Sequence, residues 1–272
     1  MYRFKVTLIN STPHALETLI FTKGTRLALD PAGFEAVKAW PLERKLAELE
    51  YMRHTIQSQF EFVDYIFSIE HVSRAFTQQL ERHRIGTSFA EKALRVVDMS
   101  NFDFVTGPSI ETDPARLEAY CDAMATLAGE YHEQVKLGAK PQDARGLLPL
   151  NVATGIVFKA NLRTLHDMAL KRLCVKAQGE FQDVFRAIRQ AVLDIHPYFD
   201  KFIRVWCATY GTCQFHTFPT ADCPTKPYVY NPEACEAYGG GRPQNLDFIQ
   251  IQWEGNRAEA QPVVVKVWDE QK

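Results

Sequence analysis

The chain has 272 residues, 46% of them hydrophobic, and its 33 acidic and 31 basic side chains leave a formal net charge of -2. That length and apolar fraction suffice for a sizeable core, while the slight acidic balance excludes a general nucleic-acid binder, which needs a basic excess or stripe. No apolar run is long enough to cross a bilayer and residues 1–10 lack the apolar core of a secretory signal, so the expected setting is the cytoplasm, with no membrane partner.

Cys121, Cys174, Cys207, Cys213, Cys223 and Cys235 read as free thiols in a reducing compartment. Their irregular spacing, without any C-x-x-C, argues against structural zinc, and no metal is expected.

From the amino terminus, Tyr2 to Leu8 alternates apolar with polar side chains, and Ala15 to Thr22 is rich in apolar and β-branched residues. Both are predicted strands, paired as a hairpin through Asn10-Ser11-Thr12-Pro13. Phe34 to Arg53 has helical apolar spacing, divided at Pro41. Phe60 to Val72 alternates again as a strand with a buried face, and Ser73 to His83 is a predicted helix ending in Arg82-His83-Arg84. On that helix Gln79, Arg82 and His83 share one face.

After an irregular stretch over 96–107, Asp113-Pro114 opens a long amphipathic helix to Leu137. Its stripe of Leu117, Tyr120, Cys121, Met124, Leu127 and Tyr131 is core packing. A short helix from Pro141 to Leu148 carries Arg145. Val152 to Ala160 is a strand, Asn161 caps a helix running to Arg172, and Lys176 to Leu193 and Pro197 to Tyr210 are helical. From Gly211 to Asn245 the composition is that of a long irregular loop, and two strands follow, Leu246 to Trp253 and Gln261 to Trp268. The expected class is α+β, a mainly antiparallel sheet flanked by long helices. The expected domains are 1–210 and a loop-rich extension, 211–272, ending in a β-hairpin.

Two stretches carry chemistry. Glu81 to Arg95 is dense in basic side chains around a Gly86-Thr87-Ser88 element, and arginine forms charge-assisted, often bidentate bonds to phosphate. A phosphate or nucleotide is the natural guest, and the alternative is a solvated helix end with ion pairs among Arg82, Arg84 and Glu91. In the second stretch Arg163 occupies a helix first turn, where a cation opposes the dipole unless an anion or carboxylate meets it. Asp167 and Lys171 stand at ion-pair spacing, and Arg172 in the last turn is favourable for structure alone.

Together these stretches resemble the flavin-dependent thymidylate synthases. The resemblance rests on Arg82-His83-Arg84, Glu91, Arg95, Leu148-Pro149-Leu150-Asn151, Asn161-Leu162-Arg163-Thr164-Leu165, Arg172 and Ala177-Gln178-Gly179-Glu180, which follow the family's order. There are departures. The family's serine after Arg-His-Arg falls on Lys92, or on Ala93 if one residue is inserted around Ile85-Gly86-Thr87; only the inserted register keeps Glu91 and Arg95 in place. Asp167 stands where the family has asparagine, Lys176 replaces a histidine and Gly179 a tryptophan. The family's His-x-Thr-Pro-Phe-Glu-His element survives only as Phe60-Glu61.

The resemblance implies conversion of dUMP to dTMP with FAD, NADPH and 5,10-methylenetetrahydrofolate, in a homotetramer with shared active sites. It assigns Gln79, Ser88, Glu91, Arg95, Arg145 and Arg172 to the deoxypyrimidine monophosphate, with Arg172 as the catalytic group that polarises the base. It assigns Arg82, His83, Arg84, Glu91, Asn161, Arg163 and Asp167 to the flavin. The altered serine and Asp167 leave open a pyrimidine hydroxymethylase or a dCMP-modifying variant. A non-catalytic flavin- or nucleotide-binding protein is the alternative from another class.

Overall fold

In the computed structural model the described residues are 4–25, 33–55, 57–211, 213–214, 251–253 and 262–264. In chain order the elements are β1 (Lys5–Ser11), α1 (Ala15–Gly24), α2 (Gly33–Lys38), α3 (Leu42–His54), β2 (Asp64–Ser73), α4 (Arg74–Leu80), β3 (Thr87–Glu91), α5 (Pro108–Glu111), α6 (Pro114–Lys136), α7 (Pro141–Ala144), β4 (Ala153–Asn161), α8 (Leu162–Arg172), α9 (Gly179–Ile195), α10 (Trp206–Tyr210), β5 (Ile251–Trp253) and β6 (Pro262–Val264). They fall into two units.

The first unit comprises Met1–Thr12, Asp64–Asn161 and Gly179–Ala191. Its centre is a four-stranded antiparallel sheet in the order β1-β2-β4-β3. Period-two alternation drives Tyr65, Phe67 and Ile69 of β2 and Ile156, Phe158 and Ala160 of β4 to one buried face. Phe158 lies opposite both Phe67 and Phe89 in the register, and the three rings stack in a ladder with centroids 6.2 and 5.6 Å apart. Near its end β2 slips register between Glu70 and Val72, with His71 at φ 56, so that Val72 and Ser73 are both buried. A second cluster, Leu94, Met99, Tyr131, Ala144 and Val152, packs α6 and α7 against the start of β4.

Helix α6 begins as expected, with the Asp113 carboxylate accepting from Ala115 N and Arg116 N. Its core stripe is narrower than its sequence implies: Met124 and Tyr131 are buried, whereas Cys121 is exposed.

The second unit, Pro13–Val63, Leu162–Gln178 and Val192–Lys272, is helical around Leu16, Leu19, Met52, Phe60, Leu165, Met168 and Phe202. Phe202 is its hinge of packing, stacked on Phe60 at 4.1 Å and on the His166 ring at 4.3 Å, while His166 Nδ1 donates to its carbonyl. β5 and β6 pair antiparallel, the described part of the two expected terminal strands. The remainder of those strands and most of the expected loop, Cys223 and Cys235 included, lie outside the described residues.

Residues 15–24 correct an expectation. They form α1, and β1 pairs with β2 instead, from Lys5 opposite Glu70 to Ser11 opposite Tyr65. Ala15, Leu16, Leu19 and Ile20 are the buried set, which is helical spacing. The β-branched residues that favour a strand are absorbed: Thr22 Oγ1 donates back to the Thr18 carbonyl at 2.8 Å. Glu17 in the first turn and Lys23 in the last suit the helix dipole.

Helix α4 is also shorter than expected. It stops at Leu80; Glu81 N still reaches the Thr77 carbonyl at 2.9 Å, and the two amides after it bond at i−3 spacing, Arg82 N to Gln79 O and His83 N to Leu80 O. Arg82-His83-Arg84 is therefore a turn beyond the helix, and its residues do not share a helical face with Gln79.

Candidate active site

Three local arrangements hold the residues of interest. The first is a cavity of about 620 Å³ lined among others by Arg74, Gln78, Leu94, Gln142, Asp143, Arg145 and Leu148-Pro149-Leu150, all of the first unit. Its wall follows from backbone bonding: Arg74 N donates to the Val152 carbonyl at 3.1 Å and Ala75 N to the Leu150 carbonyl at 2.9 Å. Leu150 of the Leu-Pro-Leu-Asn segment and Val152 just beyond it thus take up two of the amides that a helix start leaves unpaired.

Arg74 enters the cavity from the first position of α4. Its Nη1 meets Glu91 Oε2 at 2.8 Å and the Lys92 carbonyl at 3.4 Å. Its Nε and Nη2 make no hydrogen bond among the described residues, nor does the exposed guanidinium of Arg145. Two cations with unspent donors on one cavity form an anion-binding arrangement. Behind Arg74, burial pushes the Glu91 carboxyl up from its ordinary value, outweighing the pull of Thr77, Arg74 and Thr154. Glu91 Oε1 and Thr154 Oγ1 are buried, and the pull of Thr77 and Thr154 acts without a hydrogen bond of full geometry to either atom among the described residues.

The second arrangement is the turn and edge strand that follow α4. Arg82 and Arg84 are exposed and their side chains make no hydrogen bond or ion pair among the described residues. His83 is half-buried against the Phe181 ring at 6.2 Å. Thr87 Oγ1 donates to the His83 carbonyl at 2.5 Å, and Gly86, at φ 69, supplies the left-handed turn into β3. β3 is an edge strand, so Ser88, exposed and opposite Lys159, stands on the rim of the sheet. Arg95 is exposed in the turn beyond Leu94, the cavity residue. The expected alternative of ion pairs among Arg82, Arg84 and Glu91 does not form; Glu91 pairs with Arg74. Asn161 ends β4, buried, its amide donating to the Gly86 carbonyl at 3.0 Å.

The third arrangement belongs to the second unit. Arg163 in the first turn of α8 is met by a carboxylate: Nη1 lies 2.7 Å from Glu61 Oε1. The dipole mismatch expected there is resolved by the surviving glutamate of the Phe60-Glu61 pair. Asp167 is exposed and forms no ion pair with Lys171. Arg172 closes α8 half-buried, and burial pushes its guanidinium pKa down.

Sequence reasoning missed Arg74, Gln78 and the Ser73–Glu180 contact. A signal for Arg74 was present, since a cation at the first position of α4 has the same mismatch with the helix dipole as Arg163. Among the described residues no group of His, Cys, Asp and Glu is arranged to hold a metal ion, and no helix is long and apolar enough to cross a membrane.

Fold and site define a class: an α+β protein whose antiparallel sheet carries, at one rim and beside it, arginines with donors left for an anionic ligand. A family model described as thymidylate synthase complementing protein matches residues 33–198, and the chain belongs to that family.

Several relatives are flavin-dependent thymidylate synthases. That of Pyrococcus furiosus is 34% identical over 186 residues, 66% of this chain and 75% of its own. The Clostridium tetani enzyme is 27% identical over 227 residues, 77% of this chain and 90% of its own. The protein of Nitratidesulfovibrio vulgaris is 33% identical over 164 residues, 57% of this chain and 66% of its own.

Proposed function

We propose that this chain is a flavin-dependent thymidylate synthase, transferring the one-carbon unit of 5,10-methylenetetrahydrofolate to C5 of dUMP with FAD as the flavin and NADPH as reductant. The observation that carries the reading is that Arg74 and Arg145 line one cavity, each with guanidinium donors that bond no described residue. A phosphate monoester complements that arrangement in charge, and two of its oxygens can be met by the planar fork of a guanidinium.

In this reading Arg74 and Arg145 hold the nucleotide phosphate, Gln79, Ser88 and Arg95 add donors around it, and Glu91 orients Arg74. Arg82 and Arg84 fit a flavin pyrophosphate, because their exposed side-chain N–H groups bond no other described residue. His83, Asn161, Arg163 and Asp167 are the remaining flavin candidates. When bound, the flavin supplies the reducing equivalents that turn the transferred unit into a methyl group. The protein's part is electrostatic. Arg172 is assigned to the pyrimidine N3 and its neighbouring carbonyl, where a guanidinium stabilises the charge that develops as C5 becomes nucleophilic, with no enzyme nucleophile required. The proposed assembly is a homotetramer in the cytoplasm, with residues 1–210 as the catalytic domain and 211–272 as an extension.

A second reading is carried by Asp167. As an exposed, unpaired carboxylate it only accepts hydrogen bonds, which suits an exocyclic amine and would favour dCMP or a hydroxymethyl product. One experiment separates the readings. Purified protein is expected to be yellow and, given NADPH and methylenetetrahydrofolate, to release tritium from C5-labelled dUMP with dTMP as product. Release from dCMP alone, or a hydroxymethyl product, selects the second reading. Protein that stays colourless after flavin reconstitution is a binding protein at most, and both readings fall.

A further inference from the structure

A carboxylate that does not line the cavity holds the residue before Arg74. Glu180, only 2% exposed, accepts from Ser73 N at 2.7 Å and from Ser73 Oγ at 2.5 Å. The same hydroxyl accepts from Phe76 N at 3.0 Å and is the N-cap of α4. Arg74 is the next residue and Gln78 follows one turn later, and both line the cavity.

Helix capping alone does not account for this contact. A serine N-cap satisfies a helix start unaided. A buried carboxylate without a cationic partner is costly, and Glu180 makes no ion pair among the described residues. Burial accordingly pushes its carboxyl above the ordinary value, against the two Ser73 bonds and the nearby His71. The strand leading to Ser73 carries a second cost, since His71 holds a left-handed conformation at φ 56 in the bulge that turns Ser73 inward. Two unfavourable local features thus converge on one serine at the entrance to the arginine-bearing helix.

We propose that Glu180 is a positioning residue for nucleotide binding: by fixing Ser73 from both its amide and its hydroxyl, it sets the start of α4 and so the placement of Arg74 and Gln78 in the cavity. This rests on the reading of that cavity as the nucleotide phosphate site.

The test is calorimetric titration of dUMP into the full-length, flavin-bound protein, for wild type, Glu180→Gln, Glu180→Ala, Ser73→Ala and the double variant. Glutamine keeps an acceptor for Ser73 N, so Kd is expected to weaken roughly threefold, against about tenfold or more for alanine. Ser73→Ala removes the hydroxyl bond to Glu180 and the cap on Phe76 N but keeps the amide bond, so with Glu180→Ala its effect on Kd should be less than additive. KM for dUMP should rise in parallel with kcat little changed, while flavin absorbance stays that of wild type. Unchanged dUMP affinity in Glu180→Gln with only a lower melting temperature overturns the proposal, as does full additivity of the two alanine variants. If Glu180→Ala does not fold, Glu180→Gln against wild type decides alone. Wild-type protein that fails to bind dUMP removes the nucleotide reading and this inference with it. Binding that depends on Arg145 but not on Glu180 removes this inference only.

Discussion

Replacing Arg74 by alanine tests the cavity most directly. Arg74 has a divided guanidinium: Nη1 is committed to Glu91 at 2.8 Å and to the Lys92 carbonyl at 3.4 Å, whereas Nε and Nη2 have no partner among the described residues. A charge-assisted hydrogen bond is worth about 1.5 to 3 kcal/mol, so losing the contact to a phosphate lowers dUMP affinity roughly 10- to 100-fold. Arg74→Lys keeps the charge but not the planar fork, and a loss of about threefold to tenfold is expected. Glu91 is left half-buried without its cation in Arg74→Ala, and since burial already raises its carboxyl, it is expected to take up a proton rather than unfold the domain. Calorimetric titration at fixed ionic strength measures the affinity, with circular dichroism to show that the fold survives. If Arg74→Ala and Arg145→Ala both bind dUMP within about twofold of wild type, the cavity is not the phosphate site. Loss in Arg145→Ala alone would reduce Arg74 to a partner of Glu91.

Arg172→Ala is expected to lower turnover sharply while flavin stays bound, and unchanged turnover in a tritium-release assay would remove its assignment to the base. Phe158→Ala takes the fully buried central ring from the ladder and should cost about 3–5 kcal/mol in urea unfolding; a cost under about 1 kcal/mol would mean that Phe67 and Phe89 collapse into the gap. Glu61→Gln breaks a pair whose side chains are 51% and 43% exposed, so stability should change by less than about 1 kcal/mol in the same assay. Glu180 sets a pH dependence. Its folded pKa is raised above the ordinary 4.5, so the folded state holds the proton more tightly and wild-type stability should fall as pH climbs from 4.5 through the folded value. Glu180→Gln should show a shallower decline in melting temperature over that window, and parallel profiles would contradict it.

What was legible in the chain was whatever a single element decides for itself. The alternation of Tyr65, Phe67 and Ile69 and the Asp113-Pro114 start of α6 are local signals that packing upheld. Residues 15–22 read as a strand because their β-branched side chains outweigh a helical spacing that only burial of Leu16, Leu19 and Ile20 makes evident. The end of α4 was extended past Leu80 for a similar reason, since charge at Arg82 and Arg84 carries no information on where i−4 bonding stops.

The site shows a different limit. Arg163 and Arg74 both sit in a first helical turn, where a cation is unfavourable, and from sequence only the first was singled out, as a sign of an external anion. In the structure Arg163 finds its counter-charge in Glu61, 102 residues away along the chain. Arg74 is only partly satisfied by Glu91 and keeps donors facing a cavity. The same local mismatch therefore has two outcomes, and the difference lies in a carboxylate that no spacing rule places nearby. A helix-start cation is evidence for a ligand only to the extent that its donors outnumber the acceptors the fold brings to it, and by that measure Arg74, not Arg163, is the residue on which the nucleotide reading stands or falls.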